Sequence, residues 1–270
     1  MTGNIPDIRR RLKKLSPLIH CITNPISIQQ CANAVLATGG RPIMAEHPKE
    51  VREITQTADA LMLNLGNITD VRMESMGISA QAANEKRIPI LLDAVGVACS
   101  NLRRDYACNL IRTAMPAIVK GNYSEINALY HAAYRSSGVD ADAELDVRTL
   151  DKVAVHLART CHTVILASGK VDIVTDGSRL FHIKNGTPQL SGIPGTGCML
   201  GALAAAYLSV ASDMDAAVTA CVVLGVCGQR SETQRGCGTF LMNLMDALST
   251  VCDADLEEYL EVEECSIEEL

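Results

Sequence analysis

The stretch 192-GIPGTGCML-200 brings a glycine-rich turn straight into a run of small apolar residues. A turn of this kind opening a helix leaves backbone N–H groups unpaired at the positive end of the helix dipole, where an anion is stabilised. The glycines let a ligand approach the backbone closely. The first side chain after the last of these glycines is the thiol of Cys198. No G-x-x-x-x-G-K-[ST] stretch occurs, so the turn is not a Walker-type loop.

Working outward, the chain after Thr196 reads as almost wholly helical, over 198–211, 215–231 and 236–251. The first two segments are apolar around most of their circumference, the pattern of buried helices. Upstream, short apolar runs alternate with longer amphipathic ones. Strands are expected at 18-LIHCI-22, 60-ALMLNL-65, 88-IPILLD-93, 115-MPAIVK-120 and 162-HTVILA-167, with helices such as 70–87 and 146–160 between them. Continuous apolar strands alternating with helices predict an α/β fold with a mostly parallel central sheet covered on both faces. The run 171-VDIVTDGSRLFHIKN-185 reads as a hairpin turning at Asp176-Gly177, an antiparallel edge on that sheet. With no internal repeat or low-complexity linker, 1–270 is read as one domain.

Composition narrows the function. Residues 253–270 hold nine acids and no Lys or Arg, an acidic helix or tail that leaves 24 basic against 22 acidic residues in the rest. The body is therefore nearly neutral, despite a net charge of −7. With no Trp, two Phe and no basic stripe, the chain lacks the stacking platforms and phosphate track of a nucleic-acid binder. No window reaches the roughly 18 apolar residues of a membrane span. The basic N-terminus has no apolar signal core, so a cytoplasmic protein is expected. None of the 11 cysteines stands in C-x-x-C spacing and most lie in apolar runs, which favours free thiols over a disulfide framework or a zinc site.

In parallel sheets ligands gather at the carboxyl ends of strands. Four expected strands end on functional groups: Asn64 and Asn67, then Asp93, then Lys120 with Asn122 and Glu125, then Ser168. Each alone has an ordinary account: Asn122 as a helix cap, Glu125 as a first-turn acid, Lys120 as a solvated cation. Converging on one rim, they are the parts of phosphoryl transfer. Asp93 and Glu125 suit Mg²⁺ held through its waters, and Lys120 offsets phosphate charge. The N–H groups of Gly195, Thr196 and Gly197 suit the oxygens of the transferring group. His20, between Ile19 and Cys21, reads as a hydrogen-bonded core histidine.

The G-x-x-G-T-G-C turn resembles the anion hole of the ribokinase-like superfamily. Within that superfamily the chain resembles the hydroxyethylthiazole kinase family of thiamine salvage. The resemblance rests on 20-HCITNPIS-27, 31-CANAVLATGGRPIMA-45, 60-ALMLNLGNI-68, 89-PILLDAVGV-97, 117-AIVKGNYSEI-126, 164-VILASGKVDIVTDG-177 and 192-GIPGTGCMLGAL-203. It implies a three-layer domain without a lid, trimers with the thiazole site between subunits, and transfer from ATP with Mg²⁺ to the thiazole's primary alcohol. It also implies that Met44 meets the thiazole through its backbone, that Asn24 lies beside the alcohol, and that Gly195 contacts substrate. Lys120, Asn122 and Ser168 would lie along the ATP phosphates. Relatives usually carry Arg and Thr where Lys120 and Ser168 stand, and a lysine cannot reproduce the bidentate fork of an arginine.

Larger ribokinase relatives place an aspartate base after the G-x-G turn. A thiol with an ordinary pKa near 8.5 is only a few per cent ionised at pH 7, and a helix N-terminus is expected to enlarge that fraction. Because phosphoryl transfer is commonly loose, a modest base at Cys198 suffices. Packing, or a covalent nucleophile, are the other readings of this thiol. Other assignments remain open beside the thiazole kinase: a kinase of hydroxymethylpyrimidine or pyridoxal, a dehydratase of hydrated nicotinamide nucleotides, and a nucleotide sensor without turnover.

Overall fold

The computed structural model describes residues 4–131 and 146–267. Nine strands form one sheet: β1 (Leu18–Ile22), β2 (Arg41–Ile43), β3 (Ala60–Asn64), β4 (Ile90–Asp93), β5 (Ile118–Asn122), β6 (Val164–Ser168), β7 (Asp172–Thr175), β8 (Leu180–Ile183) and β9 (Val262–Cys265). Their order across the sheet is β2-β1-β3-β4-β5-β6-β7-β8-β9. Pairings from β2 to β6 are parallel and those from β6 to β9 antiparallel.

The helices are α1 (Ile5–Leu15), α2 (Ile28–Thr38), α3 (Val51–Thr57), α4 (Asp70–Lys86), α5 (Asn101–Ala114), α6 (Tyr123–Tyr130), α7 (Val147–Cys161), α8 (Pro188–Ser191), α9 (Thr196–Leu208), α10 (Asp213–Arg230), α11 (Cys237–Thr250) and α12 (Asp253–Tyr259). Helices α1, α2 and α9–α12 pack together on one face, and α3–α7 on the other. That is the expected three-layer α/β arrangement. It explains the apolar strand runs: every residue of β3 is buried, because both faces are covered. In α9 all residues except Gly197 are buried, so the helix is enclosed along its length and bare only where it begins.

Two strands were not expected from the sequence. The first, β2, is three residues long and contains Pro42, which an edge strand tolerates because one side needs no ladder bond. The second, β9, lies in the acidic segment, whose residues 268–270 fall outside those described. That segment is a helix at 253–259 and then a strand at 262–265, beyond the hairpin, so β9 is the sheet's edge. Its acids belong there: Glu263 accepts a hydrogen bond from Lys184 Nζ of the chain segment after β8 at 2.7 Å, and charge on an edge discourages further pairing.

The return to β9 is anchored by Asn185, whose side chain donates to Tyr259 O and accepts from the Glu261 N–H at 3.1 Å. Against it lies Gly225 of α10, where a Cβ would sit 2.7 Å from the Asn185 backbone carbonyl. Backbone cannot yield as a flexible side chain does. Gly225→Ala is expected to cost about 1–3 kcal/mol of stability, measured by urea unfolding; an unchanged midpoint would show that this contact is not tight.

Candidate active site

Three adjacent strands contribute to one transverse row. Asn64 of β3 is in register with Asp93 of β4, and Asp93 with Lys120 of β5. Residues in register point to the same side of a sheet, so all three side chains share a face. Lys120 Nζ donates to Asp93 Oδ1 at 3.0 Å, and Asn64 Nδ2 donates to Asp93 Oδ2 at 2.8 Å. Asp93, Asn64 and Lys120 are all buried, so Lys120 is not a solvated cation. Two residues further along β5 and β6, Asn122 and Ser168 form the next in-register pair on that side.

The N-terminus of α9 lies over this row. Gly195, with φ of +95°, makes the turn into the helix. A Cβ on Gly197 would be 3.4 Å from Lys120 Nζ, and one on Gly201 would be 3.3 Å from Asp93 Oδ2. Glycines one helical turn apart therefore let α9 settle onto the two charges. The N–H groups of Gly195, Gly197 and Cys198 have no protein acceptor among the described residues. The Thr196 N–H instead leans back to Ile193 O at 3.4 Å, and its hydroxyl donates to Leu190 O at 2.8 Å. The tight turn before the helix takes Thr196 for itself, so Cys198 joins the two glycines in the set of free amides.

The Cys198 sulfur accepts from Asn24 Nδ2 at 3.2 Å and Asn64 Nδ2 at 3.3 Å. Burial, followed by the Asp93 charge, pushes this thiol above its ordinary pKa, against Lys120 and the nearby donors. That reverses the expected enlargement of the thiolate fraction. A helix N-terminus favours the anion, but desolvation beside a carboxylate outweighs it, and the thiol keeps its proton at neutral pH. Burial also works against the charge on Lys120, yet Asp93, followed by Glu125, outweighs it and holds the ammonium charged.

Asn24 serves two masters. Its Oδ1 accepts from the Ile26 and Ser27 N–H groups at 3.1 and 3.2 Å, making the turn after β1. Its Nδ2 is thereby aimed at Cys198 and at Asn64 Oδ1. Asn64, visible in the sequence only as a polar strand end, links Asp93, Cys198, Asn24 and the Gly66 N–H through one amide. Half-buried Met44 follows β2 and packs on the core of the same layer. Next to it, Ala45 O receives a hydrogen bond from His20 Nε2 at 2.9 Å, while His20 Nδ1 meets Thr55 Oγ1 at 2.9 Å. His20 is the core histidine expected, and it pins the Met44 segment.

Glu125 and Asn122 form a capping box at the start of α6: the Glu125 N–H donates to Asn122 Oδ1 at 2.9 Å, and the Asn122 N–H to Glu125 Oε2 at 2.7 Å. Glu125 Oε1 accepts from the Gly96 N–H at 2.7 Å, which ties α6 to the loop after β4. Burial pushes the Glu125 carboxyl up to about 7, opposed by Lys120 and reinforced by Asp93. Ser168 is half-buried, its hydroxyl 3.4 Å from Gly121 O.

Among the described residues no three His, Cys, Asp or Glu side chains cluster as a closed metal cage. Mg²⁺ does not require one, since it keeps several waters and leans on one or two carboxylates plus substrate phosphates. Two carboxyl groups with hard oxygen donors match that demand, and burial raises the pKa of both. All their oxygens already accept one hydrogen bond, which favours contact through water.

Residues 10–254 match the model of the hydroxyethylthiazole kinase family. The chain belongs to that family. It is 44% identical over 252 residues to hydroxyethylthiazole kinase 2 of Clostridium botulinum (strain Hall), covering 91% of this chain and 95% of that one. The solved hydroxyethylthiazole kinase of Pyrococcus horikoshii superposes with a TM-score of 0.90 at 30% identity, over 98% of this chain and 100% of that one. A pyridoxal kinase from Staphylococcus aureus, solved with AMP-PCP and pyridoxal, shares the fold at a TM-score of 0.65 and 12% identity, over 92% of this chain and 98% of that one. Family membership makes the protein a kinase with an alcohol acceptor on a ribokinase-like fold.

Because the Lys120–Asp93 pair is enclosed, removing one partner strands the other. Lys120→Met is expected to cost about 3–5 kcal/mol, and Lys120→Met/Asp93→Asn to recover much of that loss. Chemical unfolding of the two variants checks it; equal destabilisation in both would mean that the pair is not the coupled unit described.

Proposed function

We propose that this protein transfers the γ-phosphoryl group of ATP to the primary alcohol of 4-methyl-5-(2-hydroxyethyl)thiazole, a salvage step of thiamine biosynthesis. The observation that carries the reading is the meeting of the α9 amides with Asn24, Asn64, Asp93, Lys120 and Cys198 at one strand-end rim. Family membership supplies the acceptor. The low identity to pyridoxal kinases gives no ground for a different alcohol.

In this reading the alcohol lies beside Cys198 and Asn24, with the thiazole ring along the Met44 backbone and against Gly195. The N–H groups of Gly195, Gly197 and Cys198 hold the oxygens of the group in transfer, and Thr196 fixes the turn that aims them. Lys120, Asn122 and Ser168 border the triphosphate. Asp93 and Glu125 are the residues that would hold a magnesium ion, which would supply positive charge to the phosphate oxygens. A protonated thiol cannot remove the alcohol's proton early. A loose transition state does not ask for that, since little bond forms to the attacking oxygen before the phosphoryl group has largely left its donor. The protein's contribution is positioning and preorganised charge.

The remainder of the proposal is a single lidless domain working in the cytoplasm as a homotrimer, with a neighbouring subunit closing the thiazole side against water. A sedimentation measurement tests the trimer.

ADP release, coupled to a spectroscopic readout, is expected with hydroxyethylthiazole only when Mg²⁺ is present, and to be much weaker with hydroxymethylpyrimidine or pyridoxal. ATP binding without turnover on any of the three alcohols would refute the proposal. At residue 198, where two amide donors already point, a carboxylate is well received: Cys198→Asp should retain turnover or exceed it. Cys198→Ser should lose about tenfold in kcat with KM for ATP unchanged, roughly the worth of one orienting hydrogen bond. Single-turnover rates decide; equal rates for Cys and Ser would remove the sulfur from the transfer step.

A further inference from the structure

Arg72 is buried, which is uncommon for a guanidinium, and it stands in the first turn of α4, where the helix dipole disfavours a cation. Burial works against its charge, with Glu46 opposing. Its Nη2 has no hydrogen-bond partner among the described residues. Its Nε lies 3.3 Å from Glu46 Oε2, near enough for an ion pair but without the alignment of a hydrogen bond. A buried charge placed this badly for its own helix, with donors left over, calls for a reason outside α4.

The groups that the guanidinium touches supply one. Nη1 donates to Gly66 O and to Asn67 O, both at 3.1 Å. Asn67 has a φ of +48°, so these bonds close a left-handed turn after β3. Gly66 backs the amides of the site: its N–H donates to Asn64 Oδ1 at 2.8 Å, and a Cβ on it would lie 2.8 Å from Asn24 Nδ2. Through Nε, Arg72 also meets Glu46, which follows Met44 and Ala45 in the chain. Ser75 of the same helix holds that stretch as well, its hydroxyl donating to Glu46 O at 2.7 Å. One cation therefore joins the segment that carries Met44 to the turn that backs Asn24 and Asn64.

We propose that Arg72 is a positioning residue for the acceptor: its guanidinium ties segment 44–46 to the turn at 66–67 and so sets their spacing about the thiazole alcohol. The inference rests on the acceptor placement under the proposed function, with the ring along Met44 and the alcohol beside Asn24. A staple that served only the fold would lower stability without choosing between the two substrates. The tether acts on one of them. Arg72→Met should raise KM for hydroxyethylthiazole about tenfold, on the scale of a lost hydrogen bond to a charged group, with KM for ATP unchanged. Arg72→Lys should recover part of that loss, because a compact ammonium cannot span two carbonyls and Glu46 together. Glu46→Gln should raise the same KM only about threefold, since the Glu46 side chain is half-exposed. Arg72→Met/Glu46→Gln should match Arg72→Met alone, as expected when two groups act as one unit.

The test combines steady-state kinetics in both substrates with hydrogen exchange at the Gly66 amide of the ligand-free protein. Exchange is expected to be faster in Arg72→Met. Tyr106→Phe is the control: it removes the bond from the Tyr106 hydroxyl to Met73 O at 2.6 Å, loosening α4 elsewhere, and should leave both KM values and that exchange unchanged. Should Arg72→Met not fold, Arg72→Lys and Glu46→Gln carry the same comparison. An equal rise in KM for ATP, additive effects of the two substitutions, or unaltered Gly66 exchange would each overturn the proposal. If the unsubstituted protein did not phosphorylate hydroxyethylthiazole, the acceptor reading would fall and the role of Arg72 with it, while faster Gly66 exchange in Arg72→Met would still show the tether.

Discussion

The distance between the first turn of α9 and the row Asn64–Asp93–Lys120 is the constraint on which the site depends. Of the two glycines there, Gly201 is the tighter: a Cβ on it would meet Met62 Cε at 2.8 Å and Asp93 Oδ2 at 3.3 Å, whereas one on Gly197 would make an ordinary 3.4 Å contact with the Lys120 ammonium. With hydrogen alone at both positions, the helix terminus comes to rest above a buried ion pair. The positive end of a dipole over a cation is unfavourable by itself. Asp93 and Glu125 offset it, and the amides of 195, 197 and 198 are left without a protein acceptor among the described residues.

Around that contact the protein accepts local costs. Asn64 spends its whole side-chain amide on neighbours at the strand ends while its backbone stays in the sheet. Glu125 is buried to the point that its carboxyl titrates near neutrality. Ser27 gives up the capping bond its position offers. The buried Glu125 carboxyl and the unpaired Ser27 hydroxyl weaken the fold locally, and their concentration within one rim is what separates a site from ordinary polar decoration of a core. His20 shows the contrast: equally buried, it is satisfied at both nitrogens and serves to hold the Met44 segment.

Cys198 belongs to the same economy. In water its thiol would ionise more readily at a helix N-terminus; inside this rim, burial and the Asp93 charge prevail. The result is a neutral, polarizable group held by two amide donors, suited to orienting an alcohol and poorly suited to removing its proton. A reaction whose transition state needs little deprotonation tolerates that exchange.

Much of this was legible in residue order. Alternating apolar runs and helical periods require a covered parallel sheet, and α9 had to be enclosed because its sequence is apolar on every side. The polar residues ending β3, β4, β5 and β6 follow from the rule that parallel strands present their carboxyl ends together. β2 and β9 were not legible: one is three residues with a proline, the other an acidic segment, and neither carries a core-facing pattern. Sequence alone determined which groups reach the rim, because strand periodicity is local. Tertiary structure alone decided what they do there. Register put Asn64, Asp93 and Lys120 in one row, and desolvation reversed the expected ionisation of Cys198. Burial and through-space charge depend on residues far apart in the chain, and no local pattern encodes them.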